Sequence, residues 1–162
     1  MSVQTNYNYT PNAGAPGGIV DLAPYAIDAF ANTEETGVLK LGMGVVAGTA
    51  ADTIKKPVSG STAGDFLGIT VNGRTNEIGL DGETYIRKKA TVGVMRYGRI
   101  YARVKSNITV AAGEAVYLIK SGDDAGLFTN VSTDNVAVKA KFLGPVGANG
   151  VAPVHLFDTP HA

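Results

Sequence analysis

Few residues of this chain have the types and spacings that carry out chemistry. The histidines, His155 and His161, both lie in the closing HLFDTPH, without a third ligand at the spacing of a zinc site. Serines occur in loop-like surroundings such as SGS at 59–61, and there is no GxSxG nucleophile motif. Acidic residues are scattered mainly in turns, with no pair suited to general acid and base catalysis. The sequence therefore predicts no catalytic residues.

Glycine-rich and acidic stretches also lack the features of ligand sites. GAPGG, from Gly14, and GMG, from Gly42, have neither the GKS or GKT ending nor the helix of a phosphate loop. SGDDAG at 121–126 lacks the alternating ligands and terminal Glu of a helical calcium loop, and a hairpin turn explains it better. The chain contains no cysteine, which excludes thiol nucleophiles and Cys-based zinc sites. We expect no cofactor, no metal and no enzymatic activity.

Charge and hydropathy limit the possible binding partners and the possible location of the protein. Fourteen basic residues balance fourteen acidic ones, so the electrostatic attraction that drives diffuse nucleic-acid binding is missing. The first twenty residues have no basic start and no apolar run of signal-peptide length, and no later run approaches about 18 apolar residues. We expect a protein made in the cytoplasm that does not span a membrane and does not bind nucleic acid directly.

The first 18 residues differ in composition from the rest. They consist largely of Asn, Thr, Pro and Gly, with isolated Tyr7 and Tyr9, and cannot bury enough surface to fold alone. Such a segment is either a frayed terminus or an arm, and amphipathic aromatics on a flexible segment are typical anchors for a partner surface. We interpret residues 1–18 as an extended N-terminal arm.

The remaining residues, 19–162, predict one mainly β domain. Short apolar runs alternate with turn signals such as Asn72-Gly73, Asp81-Gly82 and Asn149-Gly150, at a spacing typical of a compact β-barrel or a β-sandwich. At most one or two short helices are expected, and the segment from Ala26 to Ala31 is interpreted as one or two helical turns. The length suits a single domain with its own core.

The stretch VGVMRYGRIYARV, residues 92–104, is the most informative strand. Side chains alternate between the faces of a strand, so even and odd positions should lie on opposite sides. The even positions, predicted to be core, are Val92, Val94, Ile100, Ala102 and Val104. The odd positions, predicted to form an outer face, are Met95, Tyr97, Arg99, Tyr101 and Arg103. Arg96 breaks the pattern beside Gly98, which predicts a bulge that turns Arg96 outward.

The outer face of this strand could have one of three roles. It could be a solvated sheet face, a protein interface, for which Tyr and Arg are the enriched types, or a platform on which single-stranded nucleic acid stacks. The balanced charge of the chain disfavours the last of these.

The ordered succession of motifs resembles a known family. APGGIVD after the polar arm, then GDFLGITV, then TVGVMRYGRIYARV followed by GEAVYL and a turn before LFT, is similar to the head decoration or cement proteins of tailed bacteriophages. The resemblance covers most of the chain and is clearest from Thr91 to Thr129. It implies a structural virion protein without catalysis, mostly β in fold.

The resemblance also implies partners. A member of this family binds the outer surface of an assembled capsid, bridges major capsid subunits and stabilises the head against the pressure of packaged DNA, commonly as a homotrimer. The candidate capsid contacts on the arm are Tyr7, Tyr9, Pro11 and Ile19. The candidate contacts with capsid or sister subunits on the body are Tyr97, Arg99, Tyr101 and Arg103.

Two other functions stay open on the sequence alone. A phage tail or fibre β-domain would be equally β-rich and Gly-rich but would bind a tail complex or a host surface. A carbohydrate-binding β-module would need an exposed aromatic platform, which a chain without tryptophan is poorly equipped to form.

Overall fold

Regular structure in the described residues, 14–73 and 76–157 of a computed structural model, consists of β-strands. The strands are β1 (Ala26–Asn32), β2 (Gly44–Ala47), β3 (Thr53–Lys55), β4 (Phe66–Thr70), β5 (Asn76–Ile78), β6 (Thr84–Ile86), β7 (Thr91–Arg103), β8 (Ala115–Ile119), β9 (Phe128–Thr129), β10 (Asn135–Phe142) and β11 (Val151–Leu156). The predicted mainly β class is confirmed. The helix predicted from Ala26 to Ala31 is wrong, because these residues form β1.

The first strands close into a barrel. The order is β1-β3-β2-β4-β7, and β1 also pairs with β7 in antiparallel register, so the five strands return on themselves. Their interior is one apolar cluster, which we call the barrel core. Its buried members are Leu39, Leu41, Met43, Val45, Ile54, Ile86, Val92 and Val94.

A second group of strands extends the sheet from the other side of β7, in the order β11-β10-β8-β9. A parallel bridge between Val104 and Phe128, with a 2.9 Å hydrogen bond from the Lys105 amide to the Phe128 carbonyl, brings β9 back to the end of β7. These strands share a second core with β2, β4 and β7. Its largest fully buried side chains are Phe128, Phe142, Ile69, Met95, Ile100, Leu118 and Leu156.

Strand β7 serves both cores because it contains the predicted bulge. The register with β1 shifts between Tyr97 and Met95, so Arg96 is the extra residue, and its guanidinium reaches the Asp28 carboxylate at 2.8 Å. Every even position predicted as core is buried, but they do not share one side: Val92 and Val94 enter the barrel core and the later ones the second core. The outer position predicted for Met95 is wrong, because before the bulge the odd face packs into the second core.

The chain between β4 and β7 forms a small separate hairpin, β5–β6. Its turn is closed by a 3.0 Å hydrogen bond from the Gly82 amide to the Gly79 carbonyl, and Gly82 has a φ of +77°, which favours glycine. The predicted turn at Asp81-Gly82 is thus confirmed. A bridge between Lys40 and Tyr85 attaches the hairpin to the barrel.

Candidate interaction surface

The last residues of the predicted arm lie along β7 as an additional short strand-like segment. The Gly17 amide donates to the Tyr101 carbonyl at 2.8 Å, the Tyr101 amide donates to the Gly18 carbonyl at 2.9 Å, and the Val20 amide donates to the Arg99 carbonyl at 3.0 Å. Ile19 faces Ile100 in an antiparallel bridge and stays 38% exposed. We call residues 14–20 the arm root, because the hydrogen bonds fix this segment on the body.

Glycines make this close approach possible. Gly17 has a φ of +74°, and a Cβ there would lie 2.7 Å from the Thr70 carbonyl oxygen. A Cβ on Gly14 would lie 2.3 Å from Cε2 of the Tyr101 ring, so the ring packs directly against the Gly14 backbone. The Asn72 amide also donates to the Gly17 carbonyl, at 2.8 Å. The GAPGG stretch therefore allows the backbone of the arm root to pack closely on the body.

The four candidate residues of β7 lie on one face but differ in their surroundings. Tyr101 is partly covered by the arm root, and Arg103 donates at 2.8 Å both to the Leu41 carbonyl and to Glu83. Arg99 pairs with Asp21 at 2.6 Å, whereas Tyr97 is 38% exposed. Arg103 thus connects the barrel to the β5–β6 hairpin, and Tyr97 and Arg99 are the members closest to solvent.

The Asp21 carboxylate is held in its charged form. The hydrogen bond from Arg99 is the main cause that lowers its pKa below the ordinary value, followed by the Ala23 amide, which donates to Oδ1 at 3.0 Å. The chain just after the arm root is thereby attached to β7 by a second, electrostatic contact.

Tyr97 belongs to an aromatic group that the sequence did not reveal. Its ring centroid lies 6.2 Å from that of His155, which in turn lies 4.6 Å from that of Phe157. The pairing of β11 with β7 places His155 beside Arg99. No sequence signal links Tyr97 to His155 and Phe157, because that contact depends on the register of strands far apart in the chain.

Several sequence predictions fall on residues that the structure does not describe. Tyr7, Tyr9 and Pro11 of the arm, and His161, lie outside residues 14–73 and 76–157. Within those ranges, no three His, Asp or Glu side chains are grouped so that they could hold a metal ion. The same residues include no helix with the length and hydropathy needed to cross a membrane.

Comparison with known proteins identifies the family. The model of the structural cement protein family (E217 gp24/Pam3 gp6) matches residues 3–157. The chain belongs to this family. The predicted resemblance is thus confirmed, and this cement protein has a structural, capsid-stabilising role.

A solved structure shares the fold. The chain is similar to one in "The capsid of Myoviridae Phage XM1", with a TM-score of 0.74 and 20% identity over 99% of this chain and 100% of that chain. At this identity the likeness concerns the fold. Among curated proteins, no match to the chain was found.

Proposed function

We propose that this cement protein binds the outer surface of an assembled phage capsid and bridges neighbouring major capsid subunits, which stabilises the head against the pressure of packaged DNA. It would be made in the host cytoplasm, act as a homotrimer and become part of the virion without catalysing a reaction. The observation that carries the proposal is the family match, which spans residues 3–157 and so includes most of the arm.

The arm root supports a docking role for the residues before it. Because Gly14 to Val20 are fixed along β7, the preceding chain must start from a defined point beside Tyr101. A chain spans at most about 3.5 Å per residue, so Tyr7 can reach a partner up to about 25 Å from Gly14. Tyr7, Tyr9 and Pro11 are the proposed contacts.

On the body, Tyr97 and Arg99 are the proposed direct contacts with capsid or sister subunits, since both reach the surface. Tyr101 and Arg103 would act at the same interface by holding the arm root and the β5–β6 hairpin in place. Ile19, which is exposed on the arm root, extends the proposed contact along that segment.

Binding at many sites of one capsid explains how modest contacts can stabilise a shell. A protein that binds only the assembled lattice increases the stability of the lattice by mass action at every site that it occupies. In a homotrimer the arms of three subunits can engage together, and the second and third contacts then form at a high effective concentration. Strong affinity of a single site is therefore not required.

The test is co-sedimentation of the purified protein with expanded, empty capsid shells. The variants are a truncation that lacks residues 1–13 but keeps the arm root, Tyr7→Ala with Tyr9→Ala, and Asn8→Ala with Asn12→Ala as the matched control. We expect the control to pellet like the intact protein and the other two to lose most binding. Unchanged binding of the truncated protein would refute the role of the arm, and failure of the intact protein to pellet would refute capsid binding.

The trimer needs its own measurement. Light scattering should give three times the 16.7 kDa chain mass for the purified protein. A monomer at the concentration at which shells become saturated would refute the homotrimer and leave capsid binding to be judged by sedimentation alone.

A further inference from the structure

The outer face of β7, β11 and β10 brings together residues that are far apart in the sequence. Directly opposite residues of antiparallel strands share a face, and Lys141 faces His155, which faces Arg99. Two residues away in each of the β10 and β11 chain segments, the Phe157 amide donates to the Lys139 carbonyl at 2.9 Å. We define the basic aromatic face by its side chains: Lys139, Lys141, His155, Phe157, Tyr97 and Arg99.

The positive charge of this face is only partly compensated. Arg99 pairs with Asp21, but the exposed Lys139 and Lys141 make no ion pair or side-chain hydrogen bond with the described residues. Elsewhere in that part of the chain, Lys40 pairs with Glu83, Lys88 with Glu35 and Lys105 with Asp124, whereas the other lysines form no ion pair. Because the formal net charge of the whole chain is zero, the two unpaired lysines give this face a local excess of positive charge.

The same face exposes apolar surface beside the lysines. Tyr97 is 38% and Phe157 40% exposed, and both contact the His155 ring between them. Aromatic residues and Arg are enriched in protein interfaces, and the aromatic rings supply large contact areas at a low entropic cost. Aromatic rings flanked by cations favour a partner that offers both an apolar patch and carboxylates.

We propose that the basic aromatic face docks on a carboxylate-bearing protein surface of the capsid shell. This inference rests on the proposed function and adds the chemistry of the partner and the residues Lys139, Lys141, His155 and Phe157. The charge excess is the argument for an acidic partner. A protein is favoured over nucleic acid because the rings of Tyr97 and Phe157 pack against His155, which leaves less ring surface on which bases could stack.

The experiment uses two charge-reversal variants of the full chain. Lys139→Glu with Lys141→Glu changes the face, and Lys88→Glu with Lys89→Glu changes two exposed lysines in the turn before β7. Each variant takes the formal net charge from zero to minus four. Affinity for empty shells is measured by co-sedimentation at several ionic strengths, and short single-stranded DNA is the competing probe. Circular dichroism confirms that both variants fold.

We expect the face variant to bind shells at least about tenfold more weakly and the control variant to stay within about twofold of the wild type, since charge reversal at a contact introduces repulsion. Wild-type affinity should fall with ionic strength, because exposed charges are screened. Equal losses in both variants, or no loss in the face variant while the wild type binds, would overturn the inference but leave the proposed function standing.

Two further outcomes separate the alternatives. If wild-type protein binds the single-stranded DNA and the face variant does not, the face is a nucleic-acid platform and the inference fails. If wild-type protein does not pellet with shells at any ionic strength, the proposed function fails and this inference fails with it.

Discussion

Substitution of Gly17 by alanine should detach the arm root without unfolding the body. Gly17 has a φ of +74°, and the left-handed backbone costs an L-residue about 1 kcal/mol more than glycine. The new methyl group would lie 2.7 Å from the Thr70 carbonyl oxygen and 2.8 Å from the Asn72 nitrogen, so the segment must move. Movement breaks two backbone hydrogen bonds of Gly17, each worth about 1 kcal/mol net.

These contributions sum to about 3 kcal/mol, which increases the population of the opened arm root about a hundredfold. The Tyr101 amide reports the opening, because it donates to the Gly18 carbonyl and is exposed to solvent when the root leaves. Native-state hydrogen exchange, followed by NMR, should therefore show a loss of protection at Tyr101 of about that size.

The matched control is Gly122→Ala. Gly122 has a φ of +76°, but no atom lies within 4 Å of the position of its Cβ, so only the backbone conformation is penalised. Protection at Tyr101 should stay unchanged in this variant. Equal protection at Tyr101 in both variants would refute the steric argument. A fall in global stability of Gly17→Ala without a local change would refute the view that the arm root opens separately.

Three other substitutions test the core, the surface pair and a buried polar group. Phe128→Ala should lower the free energy of unfolding by about 3–5 kcal/mol in urea titration, because Phe128 is fully buried in the second core; a loss under about 1 kcal/mol would contradict that packing. Arg99→Met should raise the pKa of Asp21 toward its ordinary value, as measured by NMR titration of the carboxyl carbon. Because the folded pKa is lowered, the pair stabilises the folded protein at neutral pH, and this contribution is lost as the pH falls through that pKa. An Asp21 titration that is unchanged in the variant would show that the pair does not form. Asn32→Ala should cost about 1–3 kcal/mol on thermal unfolding, since the buried Asn32 amide donates to the Ile86 carbonyl at 3.1 Å; a neutral effect would show that water replaces it.

Local patterns predicted much of the fold. Alternation with a period of two, and glycine at the Asp81-Gly82 turn, correctly indicated strands, a hairpin turn and a bulge near Arg96. They failed where the spacing of apolar residues fitted a helix as well as a strand. Ile27 and Phe30, three residues apart, would share one face of a helix, but in β1 they pack against different cores.

Closure of the barrel and assembly of the candidate surface could not be predicted from local patterns. Both depend on long-range register: β1 with β7, and β10 with β11 and then β7. The sequence correctly placed Tyr97 and Arg99 on an outer face. It missed Lys139, Lys141, His155 and Phe157 as their neighbours, because nothing local relates strands more than 30 residues apart.

The position of the arm root along β7 has a mechanical consequence. Its hydrogen bonds lie side by side along the strand axis, so a pull on the chain before Gly14 along that axis loads several of them together instead of one after another. β7 also contributes buried side chains to both the barrel core and the second core. Tension on the arm is therefore carried into both cores at once, and no peripheral strand has to bear it alone.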